Sequence, residues 1–383
     1  MRRVDRVSWD DRVQDRLEEV RRAGRWRAPR TLDALGPRGR LAGGGDDLVS
    51  FASNDYLGLS AHPEVVEAAH RALDRWGAGS GASRLVTGSR PVHDELESGL
   101  ARWKSTEAAV CLPTGFAANL AVLTCFGTPG TRVFSDELNH ASIVDGCRLS
   151  RAEVTVYPHR DMEQLAKLLE AGEGPSIVVT DSVFSMDGDV APLPELCSLC
   201  RDHDALLVLD EAHAVLGPDL SIEERDATMV LRVGTLSKTL GSLGGFVAGP
   251  RPAVDLLVNN ARPYIFSTAL SPADAAAALA ALEVVCSEEG ERLRRRLADL
   301  VRRLSPGHPT PILPVVLGSE EAAISASKAL LDQGIWVPAI RPPSVPPGTS
   351  RLRVTLSAIH RNEEVERLAV SLAELGWPKP AED

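Results

Sequence analysis

The chain has 383 residues, 44% of them hydrophobic, and a formal net charge of −11. That length suffices for one large domain and a smaller one with a sizeable buried core. The acidic balance argues against a nucleic-acid or anionic-membrane surface, and no apolar run approaches the ~20 residues that would span a bilayer.

The opening stretch, MRRVDRVSWDDRVQDRLEEVRRAGRWR, lacks the apolar core of a secretory signal and carries acids that a transit peptide avoids. Cytoplasmic residence is the expectation. Val13, Leu17 and Val20 recur at helical spacing and predict an Arg- and Glu-rich helix over residues 1 to about 30. Residues 36–47 read as a Gly/Pro-rich connector, followed by a short strand into SNDYLGLS (53–60) and a helix over 63–76. Residues 77–88, GAGSGASRLVTG, are too irregular for a dinucleotide fingerprint. They form either a loop whose backbone approaches a ligand closely or a surface turn.

From His93 onward apolar runs alternate with helical patterns. AAVCLP leads into Thr114, Gly115, Phe116, Ala117, Ala118 and Asn119, where a strand meets the start of a helix. Free N–H groups and the helix dipole make such a junction a ready anion site. Further strands are expected in TRVFS (131–135), EVTVYP (153–158), SIVVTDSVFS (176–185), ALLVLD (205–210) and MVLRVG (229–234). This rhythm predicts a mostly parallel sheet with helices on both faces, and ligands beyond the carboxyl ends of its strands. Ser185, Asp210, His213 and Lys238 lie at such positions. After PYIFSTALSP (263–272) come an alanine-rich and an arginine-rich helix. The prolines from 306 to 314 then mark entry to a smaller α/β domain.

Several residues carry chemistry. Of the five lysines, Lys104, Lys167, Lys328 and Lys379 sit in polar or helical surroundings typical of solvated charges. Lys238 alone lies between an apolar strand and a glycine-rich turn, in TLSKTLGSLGG, where partial desolvation would make it an amine nucleophile. The residue before it is Ser237, so the phosphate-binding G-x-x-x-x-G-K-[ST] pattern fails. Asp210 ends an apolar strand without a partnered basic motif, which leaves a ligand cation as its natural partner. Asp210-Glu211-Ala212-His213 spells a helicase-type box, but an acidic chain with no phosphate loop is not a nucleic-acid motor. Cys197 and Cys200 form one C-x-x-C without a second ligand pair. They read as small buried residues on one helical face, and no metal site is expected. A phosphorylated pyridine aldehyde would use the amine, the carboxylate, the imidazole and the Thr235 hydroxyl together.

SNDYLGLS, TGFAAN, LNHASIVDG (138–146), SVFSMDGDVAPLPEL (182–196), DEAH, TLSKTLGSLGG and RLRVTLSAIH span most of the chain. Jointly they resemble the α-oxoamine synthase family of fold-type I pyridoxal-phosphate (PLP) enzymes. The resemblance implies an aspartate-aminotransferase-like fold: a large domain with a mostly parallel seven-stranded sheet, plus a smaller C-terminal α/β domain. The expected division is an N-terminal helical arm and connector (1–50), a large PLP-binding domain (51–272), and a linking helix with the small domain (273–383).

It implies that Lys238 carries PLP covalently and then moves protons at the substrate's α-carbon. Asp210 would pair with the pyridinium nitrogen, His140 would stack on the ring, and His213 and Ser185 would contact the phenolate oxygen. Thr235 and the backbone of Gly115 and Phe116 would hold the phosphate. Ser267 or Thr268 would reach the neighbouring subunit's phosphate in a homodimer. Arg353 would grip the amino-acid carboxylate, with Asn54 near it and Arg27, by position, meeting the acyl chain's distal carboxylate. Arg351 would share a strand face with Arg353.

AIRPPSVPPGTSRLR (339–353) points, within the family, to the branch that condenses L-alanine with a pimeloyl thioester of CoA or acyl-carrier protein for biotin synthesis. A synthase using glycine with acetyl-CoA, or an inactive regulatory paralogue, is the alternative. The segment after His213, AVLGPDLSIEERDATM, is a few residues shorter than the family's glycine-containing one.

Overall fold

A computed structural model describes residues 8–43 and 47–377. Residues 1–7, 44–46 and 378–383 lie outside the described residues, as do the expectations that fall on them, Lys379 among these. In chain order the elements begin with α1 (Trp9–Arg22), β1 (Leu32–Leu35), β2 (Arg38–Leu41), β3 (Leu48–Ser50), α2 (Pro63–Trp76), α3 (Pro91–Trp103), β4 (Ala108–Leu112) and α4 (Gly115–Phe126). β5 (Arg132–Asp136), α5 (Ala141–Leu149), β6 (Glu153–Tyr157), α6 (Met162–Glu170), β7 (Ser176–Asp181), α7 (Leu193–Asp202), β8 (Leu206–Asp210) and α8 (Ile222–Ala227) follow. Next come β9 (Val230–Thr235), β10 (Gly245–Gly249), α9 (Arg251–Asn260), α10 (Arg262–Ile265), α11 (Pro272–Val285) and α12 (Glu288–Leu304). The chain closes with β11 (Ile312–Gly318), α13 (Glu320–Asp332), β12 (Ile335–Trp336), β13 (Ala339–Ile340), β14 (Ser350–Thr355) and α14 (Asn362–Glu374).

The central sheet has seven strands in the order β4-β10-β9-β8-β7-β5-β6. Only β10 runs antiparallel to its neighbours. β7 and β10 are buried at every position, which is why their sequences are apolar runs rather than alternating patterns. One core cluster, with Val122, Ile143 and Leu257, covers one face of the sheet. Another, with Leu165, Leu196 and Cys200, lies around α6 and α7. Cys197 and Cys200 are both buried on α7, as their spacing predicts. A third cluster runs from Leu96 through the α11 alanines to Leu352 and Leu368, so the C-terminal elements share a continuous apolar core with α3 and β10.

Two expectations are corrected here. The reading of 36–47 as a connector misses a hairpin: β1 pairs with β2, β2 with β3, and β3 runs parallel to β12. Gly36 holds φ +63 at the turn, a conformation that favours glycine. The N-terminal helix, expected to reach about residue 30, ends at Arg22, just before Gly24 at φ +64; its fourteen residues include no buried one and are capped by Ser8 with Asp11 in a capping box. The third sheet, β11-β14-β13, carries the RLRVT run on its central strand. No described helix is long and apolar enough to cross a membrane.

Candidate active site

The parallel strands all deliver polar residues at one end of the sheet. β4 leads to Thr114 and Gly115, β5 to His140, β7 to Asp181, β8 to Asp210 and His213, and β9 to Thr235 and Lys238. Together with Phe116, Asn119, Ser142, Ala212, Ser237, Leu243 and Gly244 they line a pocket of about 200 Å³. A larger cavity, about 1170 Å³, lies beside the short segment after His213 and shares only Ala212, Gly234 and Thr235 with that pocket. The smaller pocket is the one that gathers the strand-end groups His140, Asp181, Asp210, His213 and Lys238.

Lys238 is held by a turn in which Gly241 N–H donates to the Lys238 carbonyl at 3.0 Å. Gly241 sits at φ +58, and a Cβ there would come within 2.3 Å of Ser60 N, so only glycine lets this turn pack on the 59–60 backbone. The Lys238 amine lies 2.8 Å from His213 Nε2, and His213 Nδ1 lies 2.5 Å from the Tyr56 hydroxyl. Burial pushes the Lys238 pKa below its ordinary value; Asp210 and Asp181 oppose this and Arg353 adds to it. Burial, then Lys238, Arg353 and His140, hold His213 well below the usual imidazole range, so it is neutral. A neutral ring that accepts from Lys238 at Nε2 carries its proton on Nδ1, facing Tyr56. Burial pushes Tyr56 itself up to about 12, against the effect of Arg353.

Asp210 is 4% exposed and accepts from Asn119 Nδ2 at 2.6 Å and from Ala212 N–H at 2.9 Å. Among the described residues no cation lies within ion-pair distance of it. Asn119 also donates to Ser142 Oγ at 2.8 Å, and the Ser142 hydroxyl reaches His140 Nδ1 at 2.7 Å. A hydrogen-bonded chain thus ties the carboxylate to the ring of His140. His140 N–H donates to Asp181 at 2.7 Å, and burial lowers the His140 pKa. Asp181 is the register partner of Asp210 on the next strand. Burial and then the neighbouring Asp210 raise its pKa well above the usual carboxylate range.

At the other side of the pocket Thr235 Oγ1 meets Ser237 Oγ at 2.7 Å. Thr114 caps α4, whose first N–H groups have no intrahelical acceptor. A Cβ on Gly115 would sit 3.2 Å from Thr235 Cβ, and one on Gly245 would sit 2.5 Å from Gly115 N, so glycines permit the close approach of these segments.

Arg353 is buried on β14. Its guanidinium donates to Ser185 O at 2.5 Å, to Asn54 Oδ1 at 3.1 Å and to Thr355 Oγ1 at 2.9 Å, all neutral acceptors. Arg351 is equally buried but pairs with Asp187.

The structure brings together Lys238, Asp210, His140, His213, Thr235, Gly115 and Phe116, and places Arg353 beside Asn54. Ser185 is absent from the pocket lining, and its backbone carbonyl serves Arg353. Arg27 is exposed in the coil after α1. Ser267 and Thr268 follow α10 beside Phe266, itself 69% exposed, and do not line this pocket. Lys104 is not a solvated charge: it is 8% exposed and lies 2.8 Å from Glu211 and 3.9 Å above the Trp103 ring. Sequence reasoning missed Tyr56, Asn119, Ser142 and Asp181. Asp181 was findable, because SIVVTD ends in aspartate just as ALLVLD does.

The residues fit PLP. A buried carboxylate without a cationic partner, a lysine amine, an imidazole nitrogen beside that amine and a helix N-terminus with two hydroxyls match a protonated pyridine, an aldehyde, a phenolate and a phosphate.

The family model for aminotransferase class I and II matches residues 46–372. An 8-amino-7-oxononanoate synthase from Geobacter sulfurreducens is 46% identical, with 95% of this chain and 97% of that protein covered. Another from Anaeromyxobacter dehalogenans is 49% identical, covering 90% of this chain and 91% of that protein. A serine palmitoyltransferase from S. paucimobilis, solved with a bound PLP–myriocin adduct, superimposes with a TM-score of 0.88 at 29% identity, covering 97% of this chain and 98% of that chain.

Proposed function

This chain belongs to the aminotransferase class I and II family, and on that premise we propose that it condenses L-alanine with a pimeloyl thioester. Carbon dioxide and the free thiol leave, and 8-amino-7-oxononanoate is formed for biotin synthesis. The observation that carries the reading is the convergence, in one pocket, of the Lys238 amine and the Asp210 carboxylate, in a chain 46% and 49% identical to two 8-amino-7-oxononanoate synthases. Release of thiol is its test. Crossing L-alanine, glycine and L-serine with pimeloyl, acetyl and palmitoyl thioesters should give the fastest turnover for L-alanine with pimeloyl. Faster turnover for glycine with acetyl-CoA would overturn the substrate assignment.

Bound PLP supplies an electron sink for the α-carbon of the amino acid. The rest is the work of this chain's residues. Lys238 holds the cofactor and, once free, carries protons to and from the α-carbon; its lowered pKa suits it to do so. Asp210 keeps the ring nitrogen protonated. His140, locked by Ser142 and Asn119, covers the ring face, and His213 contacts the phenolate oxygen. Thr235, Ser237 and the α4 N-terminus hold the phosphate. Ser185 and Arg27 retain lesser parts in this reading, the first beside the ring and the second toward the acyl carboxylate. The functional division stays at 1–50, 51–272 and 273–383.

Arg353 binds the substrate carboxylate. Its present acceptors are neutral, so a carboxylate would be its only charged partner, and an arginine fork matches that group with two parallel bonds. Arg353→Lys is expected to weaken L-alanine binding by roughly 1.5–3 kcal/mol, the range for a charge-assisted bond. Arg351→Lys is expected to do little, since lysine keeps the charge opposite Asp187. Titrating L-alanine against the cofactor spectrum of each variant checks this. The larger loss in Arg351→Lys would reverse the choice.

The working unit is a homodimer with shared sites, in which Ser267 or Thr268 completes the partner's phosphate site. Exposed Leu85, Val86, Phe116, Leu243 and Phe266 support it, since the last two and Phe116 flank the pocket mouth or the Ser267 segment. Sedimentation velocity should find a dimer at assay concentration; a fully active monomer would contradict this.

A further inference from the structure

Between β7 and α7 the chain makes a short hairpin, residues 182–191, closed by an antiparallel bridge from Val183 to Val190. Its base is fixed to the catalytic strand: Ser182 N–H and Oγ both donate to the Asp210 carbonyl, at 2.8 and 2.9 Å. Its tip is held from two opposite sides. On the β14 side, Ser185 O accepts from Arg353, Asp187 pairs with Arg351, and Gly188 O accepts from Thr310 Oγ1 at 2.7 Å. Gly188 sits at φ +70, and a Cβ there would lie 2.0 Å from Ile312 O, so the tip is seated directly on that backbone.

On the sheet side the tip carries Asp189, whose Oδ2 lies 2.8 Å from His159 Nε2 and 3.1 Å from Arg160 Nη1. The other nitrogen of His159 lies 2.9 Å from Asp136 Oδ1 at the end of β5. A histidine set between two carboxylates donates from both nitrogens and is therefore a cation. Burial disfavours that charge, but Asp136 and Asp189 outweigh it and push the His159 pKa up to about 9. The ring also stands edge-on to Phe184 at 4.4 Å, inside the hairpin. None of these groups lines the catalytic pocket.

We propose that this hairpin is a latch that sets the position of Arg353, and that His159 is the positioning residue that clamps it by bridging Asp136 and Asp189. The proposal rests on the reading that Arg353 takes the amino-acid carboxylate. The Ser185 carbonyl fixes the Nε edge of Arg353, and it can do so only while the tip is pulled toward β14 on one side and moored to β5 on the other. Asp136 also accepts from Leu138 N–H at 2.9 Å, within the loop that delivers His140, so one clamp aligns the carboxylate-binding arginine with the ring-covering histidine.

The binding measurements use the PLP-loaded enzyme, and one further readout uses the cofactor-free chain. In His159→Ala, the L-alanine dissociation constant, read from the cofactor spectrum, should rise about tenfold, as expected for loss of a charge-assisted contact. Cofactor affinity and the pimeloyl-CoA KM should stay within twofold of the parent. Hydrogen exchange at the Phe184 and Gly188 amides, measured on the cofactor-free chain, should quicken. His159→Gln, which can donate to one carboxylate only, should fall between. Asp189→Ala should approach His159→Ala, and combining the two should add little, because both break the His159–Asp189 contact. An L-alanine affinity unchanged in His159→Ala, or equal losses in alanine, cofactor and thioester binding, would overturn the latch. Arg353→Lys measured alongside separates the two failures. If it weakens alanine and His159→Ala does not, the latch alone falls; if neither does, the carboxylate reading of Arg353 falls and the latch with it.

Discussion

Lys238→Ala is expected to lose the visible absorbance of the bound cofactor and to drop turnover by at least 10³-fold, since one residue supplies both the covalent tether and the proton shuttle. The case rests on position. The half-buried amine lies at the carboxyl ends of the strands, 2.8 Å from a neutral His213, and desolvation keeps its proton loosely held. Among the described residues no other lysine lines the pocket: Lys104 is committed to Glu211, and Lys167 is paired with Glu163 in solvent. Borohydride reduction of the holoenzyme followed by peptide mapping should place the label on the peptide containing Lys238. A label on a peptide from elsewhere in the chain would remove Lys238 from the role.

Asp210→Asn has the second largest expected effect. Asparagine keeps the shape and can still accept from the Ala212 N–H, so the pocket should hold. What is lost is charge. A carboxylate and a ring cation a few ångströms apart at an effective dielectric near 20 attract by ~4 kcal/mol, or roughly three pKa units in favour of ring protonation. Exchange of the L-alanine α-proton with solvent should therefore fall roughly a thousandfold at saturating cofactor. Asn119 would then face an amide in place of a carboxylate, and the Asn119–Ser142–His140 chain would lose its charged end. Near-normal exchange at saturation would show that Asp210 only binds.

The site was legible where one strand and its following turn carry the information. Asp210, His213, Thr235 and Lys238 each sit at the end of an apolar run, and a parallel sheet brings such ends together whatever the order of its strands. Asp181 obeys the same rule but was passed over, because SIVVTDSVFS reads as one long run; in the fold the strand stops at Asp181 and Ser185 belongs to a hairpin. What was not legible depends on partners distant in sequence. Lys104 looks solvated until β8 brings Glu211 to it, 107 residues on. The glycine-rich 36–47 segment looks like a linker until β12, nearly 300 residues later, extends its sheet. Tyr56 and Asn54 lie in a polar stretch whose direction is set by backbone bonds to the 355–358 segment, as where Ala358 N–H meets Tyr56 O at 2.7 Å. Arg351 and Arg353 share a strand face, as an extended run requires, yet only the hairpin separates their roles by giving Asp187 to one and a neutral carbonyl to the other.

The most direct measurement follows carbon. With L-alanine labelled at its carboxyl carbon and a pimeloyl thioester, the holoenzyme should release one labelled carbon dioxide for each free thiol, and the product should have the mass of 8-amino-7-oxononanoate without label. Thiol released without labelled carbon dioxide, or a product that keeps the label, would contradict the decarboxylative condensation assigned to this chain.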